Sequence, residues 1–181
     1  PTPIPAGELA RLYLDRVRRL IDEINRDPVR GQLDRAIALL RAHREAGRTP
    51  ALSTCSHFTL NEIDRNNRST WKPLNAVWRA STVFTNQLGR GDLLVWLGYI
   101  GISTPNEDYG KFIRASGTDF ITCFVPDLDP AKNAPEAKAH IDQSWAFGDA
   151  EVPLPFPPGR MAPVSGLNVG LLHRLLDADG R

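Results

Sequence analysis

Short apolar runs without polar alternation constrain the fold of this chain more than any other feature. Three such runs, ALSTC, LLVWL and FITCFV, begin at residues 51, 93 and 120. Runs of this kind are typical of β-strands covered on both faces, and the helical stretches between them supply the crossovers that parallel strands require. Weaker runs at residues 77–84 and 144–147 suggest further strands. The pattern predicts an α/β fold with a doubly wound parallel sheet of about five strands flanked by helices.

Two long helices are expected before the first strand. Apolar residues recur at three- and four-residue steps within residues 8–25, which predicts a helix with one apolar stripe. That stripe consists of Leu9, Leu12, Tyr13, Val17, Leu20, Ile21 and Ile24. Pro28 breaks the pattern and suits the first turn of a second helix. The second helix is expected to end near Gly47 and to bury Leu33, Ala36, Ile37 and Leu40.

Size and charge restrict the class of protein. With 181 residues, 41% of them apolar, the chain can bury one core, so we expect a single domain over residues 1–181. Residues 1–47 would form the helical pair, and residues 48–181 the α/β core with a C-terminal helix. A formal net charge of +1 gives no field that would attract nucleic acid. No apolar stretch reaches the roughly 20 residues of a membrane helix.

The cysteine and histidine positions suggest neither a metal site nor a cofactor. Cys55 and Cys123 lie inside apolar runs without metal-ligand spacing, so we expect free thiols and a cytoplasmic location. The remaining histidines, His43, His140 and His173, are expected to be surface or packing residues. The four tryptophans are scattered along the chain, which favours packing over a stacking platform.

The loop after the first strand is the first candidate binding site, because ligands of open α/β sheets lie beyond the carboxyl ends of the strands. Its candidate binding residues are Ser53, Thr54, Ser56 and His57. Hydroxyl groups and the backbone N–H groups of a helix start together suit a phosphate or carboxylate. The alternative is structural, with Ser56 capping the helix.

The loop after LLVWL is the second candidate, with Gly101, Ser103 and Thr104 as binding residues. Thr104, Pro105 and Glu107 form a strong helix-start pattern. Capping therefore competes with ligand binding at Thr104, whereas Ser103 is freer to face the crevice.

In order and spacing, three segments resemble the sugar isomerase (SIS) domains, especially their stand-alone phosphosugar-binding branch. These segments are residues 51–62, residues 91–109 and the tail from Phe147. Ser56 and His57 fall on the serine and histidine at the helix start of that branch, and Gly101 matches the glycine of its second loop. The GDA at 148–150 and the PVSG at 163–166 are similar to its closing stretch. The resemblance implies an α/β sandwich, a homodimer and a small phosphosugar ligand.

The chain departs from the family pattern at three loop positions. Thr54 stands where a glycine is expected, and Gly98 and Ile100 stand where two serines belong. A phosphate would lose two hydroxyl donors there, so binding without catalysis is the expected function. One alternative is a sugar-phosphate isomerase with Glu62 as general base and His57 as general acid. Another is a structural or interaction protein without a ligand.

Overall fold

The computed structural model describes residues 5, 7–55, 70–74, 87–98, 102, 109–125, 127–143, 152–154, 159–161 and 165–179. Two long helices come first, as predicted: α1 spans Glu8–Ile24 and α2 spans Val29–Glu45. Gly47 follows α2 with a φ of 73°, a left-handed conformation that glycine adopts without a steric penalty. The α/β core therefore begins where the sequence pattern places it.

Five parallel strands form the main sheet, as predicted. They are β1 (Ala51–Cys55), β2 (Lys72–Pro73), β3 (Leu93–Gly98), β4 (Asp119–Phe124) and β5 (Ala139–Asp142). Their order across the sheet is β2-β1-β3-β4-β5, and every neighbouring pair is parallel. Every residue of β3 is buried, which agrees with the unbroken apolar run that predicted this strand.

The sequence analysis did not predict two of these five strands. β2 contains two residues, and β5 alternates buried with half-buried residues. This alternation suits an edge strand with one covered face, and it gives no continuous apolar run. The strands predicted at 77–84 and 144–147 lie outside the described residues.

The helix after β3 and the C-terminal helix were expected from the sequence, whereas a short helix before β5 and a strand pair after it were not. Helix α3 (Tyr109–Ser116) lies between β3 and β4, and the short helix α4 (Pro130–Asn133) precedes β5. Asp129 caps α4 by accepting a hydrogen bond from the Ala131 amide. The proline-rich stretch after β5 includes an antiparallel pair, β6 (Val152–Leu154) and β7 (Gly159–Met161). The C-terminal helix α5 spans Ser165–Asp179.

Apolar clusters cover both faces of the sheet. One face packs against α2 and α5, where the four predicted inward residues of α2 are all buried. The other face packs Trp96 and Phe120 against α3, through Tyr109 and Ile113. Trp71 and Trp96 are fully buried, as their predicted packing role requires. The sheet is therefore a core that is covered by apolar side chains on both faces.

Helix α1 buries only part of its predicted apolar stripe. Of its apolar stripe only Leu20 and Ile24 are buried, whereas Ile21 is 43% exposed. Leu20 packs against Val125, the residue that follows β4. Helix α1 thus lies against the carboxyl end of β4 and leaves part of its apolar surface in solvent. In the part of the chain that the structure describes, no helix has the length and apolarity needed to cross a membrane.

Candidate functional site

The strand order reverses between β1 and β3. From β1 the chain runs to β2 on one side and then returns to β3 on the other side. The two strands end together, since Cys55 pairs with Gly98. Ligands of open parallel sheets bind outside the carboxyl ends at the point where the strand order reverses. The candidate site therefore lies beyond Cys55 and Gly98.

Ser53 and Thr54 are the two predicted site residues that the structure describes, and they lie within β1 rather than in the loop after it. They alternate along β1, so they face opposite sides of the sheet. Ser53 pairs with Trp96 on the α3 side, and its side chain is fully buried. Within the described residues the Ser53 hydroxyl has no hydrogen-bond partner. A buried hydroxyl without a hydrogen-bond partner destabilises the folded protein by about 1–3 kcal/mol. The position of Ser53 beside the crevice therefore needs an explanation.

The other predicted site residues lie outside the described residues. They are Ser56, His57, Gly101, Ser103 and Thr104, together with the predicted acid–base candidate Glu62. The described residues also include Ile102, in the stretch between β3 and α3. Ile102 is buried, and its carbonyl oxygen accepts a 2.9 Å hydrogen bond from the Gly110 amide in the first turn of α3.

Gln143 is a buried polar residue at the same end of the sheet that the sequence analysis missed. It follows β5, and its backbone amide donates to the Phe124 carbonyl at the end of β4, at 3.3 Å. Its side-chain amide donates to the carbonyl oxygen of Gly98 and, at 3.4 Å, to that of Cys123. One side chain thus joins the carboxyl ends of β3, β4 and β5.

His140 lies between a hydroxyl and a carboxylate on the outer strand. Its Nδ1 is 3.0 Å from the Thr122 hydroxyl, and its Nε2 is 3.1 Å from Asp142 Oδ1. An ionised carboxylate only accepts hydrogen bonds, so Nε2 carries the proton that it donates to Asp142. This hydrogen bond lowers the pKa of Asp142, with a smaller contribution from Gln32.

The order of hydroxyl, imidazole and carboxylate resembles a nucleophilic triad, but its position excludes that chemistry. Thr122 is fully buried, so its hydroxyl cannot reach a substrate. Gln32 of α2 donates to Asp142 Oδ2 at 2.9 Å and accepts from the Asp142 amide at 2.8 Å. These contacts supply hydrogen-bond partners to the side chain and backbone of Asp142 at the outer edge of β5, and they join β5 to α2. The group is therefore a structural closure of the sheet edge.

A second buried polar cluster joins α2, α5 and the start of β2. The Trp71 indole donates to Asp177 Oδ1 at 3.0 Å, and the Arg44 guanidinium lies 3.8 Å from the same oxygen. Arg44 also lies over the Trp71 ring, 4.9 Å from its centroid. His173 packs against Trp71, and burial lowers its pKa. Because Trp71 precedes β2, the cluster lies at the amino end of the sheet, away from the crevice.

The described cysteine and acidic side chains provide neither a reactive thiol nor a metal centre. Cys123 is a free, fully buried thiol, and burial raises its pKa far above the usual range. Such a thiol stays protonated and unreactive at neutral pH. Among the residues that the structure describes, no three His, Cys, Asp or Glu side chains are grouped to hold a metal ion.

No protein-family model matches this chain, and no curated protein sequence matches it. The resemblance to the SIS family therefore stays a prediction from the loop residues and the closing stretch.

Proposed function

We propose that this protein binds a small anionic, sugar-like ligand, a phosphosugar, in the crevice beyond β1 and β3, without catalysis. The observation that carries the proposal is the strand order, which reverses between β1 and β3. In open parallel sheets, ligands bind beyond the carboxyl ends of the strands at such a reversal. The sequence places hydroxyl residues on both loops.

The Ser53 hydroxyl supports the proposal independently of the strand order. Buried polar groups in proteins are almost always hydrogen-bonded, and exceptions need an explanation. Ser53 lies two residues before the end of β1, and no described residue satisfies its hydroxyl. A ligand, or a water held beneath it, would supply the missing partner. The cost in the free protein is then recovered on binding.

Two described histidines give no support to a catalytic role. Both ring nitrogens of His140 are engaged with Thr122 and Asp142. His173 is buried in the cluster at the opposite end of the sheet. A proton shuttle needs a group within hydrogen-bond reach of the substrate. Because Gly98 and Ile100 stand where two phosphate-binding serines are expected, the proposal predicts that sugar phosphates incubated in deuterated water with the protein keep their C–H protons.

A thermal-shift panel of hexose and pentose phosphates tests the binding proposal. A ligand at a hundred times its dissociation constant stabilises the folded state by about 2.7 kcal/mol. For a domain of this size that corresponds to a rise in Tm of about 5–10 °C. The matched controls are the unphosphorylated sugars and inorganic phosphate alone. A flat response to every phosphate ester would contradict the proposal.

We also propose that α1 contacts a second copy of the chain in a homodimer. Leu14 and Ile21 are 55% and 43% exposed, and their seven-residue spacing places both on one side of the helix. Two apolar side chains in one exposed stripe are covered if a second α1 packs against them. The free cysteines predicted from the sequence also lead us to propose a cytoplasmic location.

A further inference from the structure

The carboxyl ends of β3 and β4 lie side by side, next to the proposed crevice. The β3–β4 ladder ends with the pair Leu97 and Cys123, one residue before β3 itself ends at Gly98. The carbonyl oxygens of Gly98 and Cys123 therefore belong to the same end of two neighbouring strands, and one side chain binds both.

The Gln143 side chain is the group that joins these two strand ends. Its amide nitrogen donates to both carbonyl oxygens, and the residue is fully buried. An amide nitrogen carries two N–H groups, so one side chain can serve two carbonyls on adjacent strands. The backbone amide of Gln143 binds β4 at the Phe124 carbonyl as well. The end of β3 is thus fastened to β4 by a side chain in addition to the ladder.

We propose that Gln143 is the positioning residue of the crevice: by fastening the carboxyl end of β3 to β4, it fixes the strand end that borders the ligand. This inference rests on the proposed function, because it assigns the crevice its wall. Gly98 pairs with Cys55 on its other side, so it lies where the crevice begins. A shift of this strand end would misalign the groups that hold the ligand, and each hydrogen bond lost to a charged ligand costs about tenfold or more in affinity.

Gln32 offers a matched control for Gln143. Both are glutamines that lie next to β5. Gln32 binds the outer side of β5 through Asp142, and in the described contacts it touches neither β3 nor β4. Replacement by methionine keeps the length of each side chain and removes its amide. Both variants should lose stability, because both leave backbone or carboxylate groups without partners.

Calorimetric titration with a hexose 6-phosphate, with inorganic phosphate as a second probe, separates the two roles. Gln143→Met should weaken binding by about tenfold or more, whereas Gln32→Met should bind like the unmodified protein. Equal affinity in all three proteins would overturn the inference and leave the proposed function intact. An equal loss in both variants would also overturn it, since general destabilisation would then explain the effect.

Hydrogen exchange measured by mass spectrometry tests the inference without a ligand. If neither probe binds in the titration, that result counts against the proposed function alone, and the exchange data still decide the role of Gln143. Gln143→Met should speed exchange in peptides that contain the end of β3, and Gln32→Met should not. Unchanged exchange at Gly98 in Gln143→Met would overturn the inference. If the methionine variant does not fold, Gln143→Asn withdraws the same amide by one methylene and carries the same expectations.

Discussion

Replacing Ser53 by alanine should stabilise the free protein, which is unusual for a substitution in a buried strand. The Ser53 side chain is fully buried and its hydroxyl lacks a partner within the described residues. Leaving such a hydroxyl unsatisfied costs about 1–3 kcal/mol, and alanine removes the group. The lower β-propensity of alanine offsets part of the gain, by less than about 1 kcal/mol. We expect a net gain of about 1 kcal/mol, or about 2–4 °C in Tm.

Thr122 provides the control for this experiment. It lies in the same row across the sheet, two strands away, and is equally buried. Its hydroxyl is engaged with His140 at 3.0 Å. Thr122→Val should therefore lower the free energy of unfolding by about 1–3 kcal/mol, because an imidazole nitrogen is left unpaired. The two substitutions should change stability in opposite directions.

Urea denaturation of both variants and the unmodified protein measures these changes. The site argument also requires that Ser53→Ala bind the ligand more weakly, by about 1.5–3 kcal/mol if the hydroxyl donates to a charged oxygen. Greater stability with weaker binding is the trade-off expected of a residue kept for function. A loss of stability in Ser53→Ala as large as that in Thr122→Val would refute the reasoning, since the hydroxyl would then have a structural partner.

Three further predictions concern the rest of the fold. Trp71→Phe removes the indole donor to Asp177 and should lower the free energy of unfolding by about 1–3 kcal/mol in urea denaturation. Burial lowers the pKa of His173 below its ordinary 6.5, so the unfolded chain binds the proton more readily. Stability should therefore fall as the pH decreases through and below 6.5, and denaturation series between about pH 8 and about pH 5 should show a weaker dependence in His173→Leu. Light scattering should give twice the chain mass of 20.1 kDa, and the double substitution Leu14→Glu and Ile21→Glu should give a monomer; a monomeric unmodified protein would contradict the dimer.

The main elements of the fold follow from local patterns in the sequence. β3 could be predicted because every residue of LLVWL is apolar, and a strand covered on both faces tolerates no polar alternation. The inward residues of α2 could be predicted from their helical spacing. β5 was missed because its polar residues, His140 and Asp142, interrupt the apolar signal. The alternation in AHID was the available signal of an edge strand.

The contacts that organise the strand ends could not be predicted in the same way. Gln143 and Gly98 are 45 residues apart, and Trp71 and Asp177 are 106 residues apart. A local pattern carries no information about which distant polar groups meet. The amphipathic spacing of α1 likewise revealed its stripe, but not that Leu20 and Ile24 are the stripe residues that the rest of the fold buries. How much of α1 is buried depends on where the helix packs against the rest of the fold.

The most direct test of the proposed crevice is an NMR titration of the isotope-labelled protein with a hexose 6-phosphate. The account predicts that the largest amide shift changes occur at Ser53 to Cys55 and at Leu97 and Gly98, the ends of the two strands that border the crevice. Amides of the Trp71 and Asp177 cluster, at the opposite end of the sheet, should not move. A saturating titration without shifts at β1 and β3, or with shifts centred on that cluster, would contradict the account.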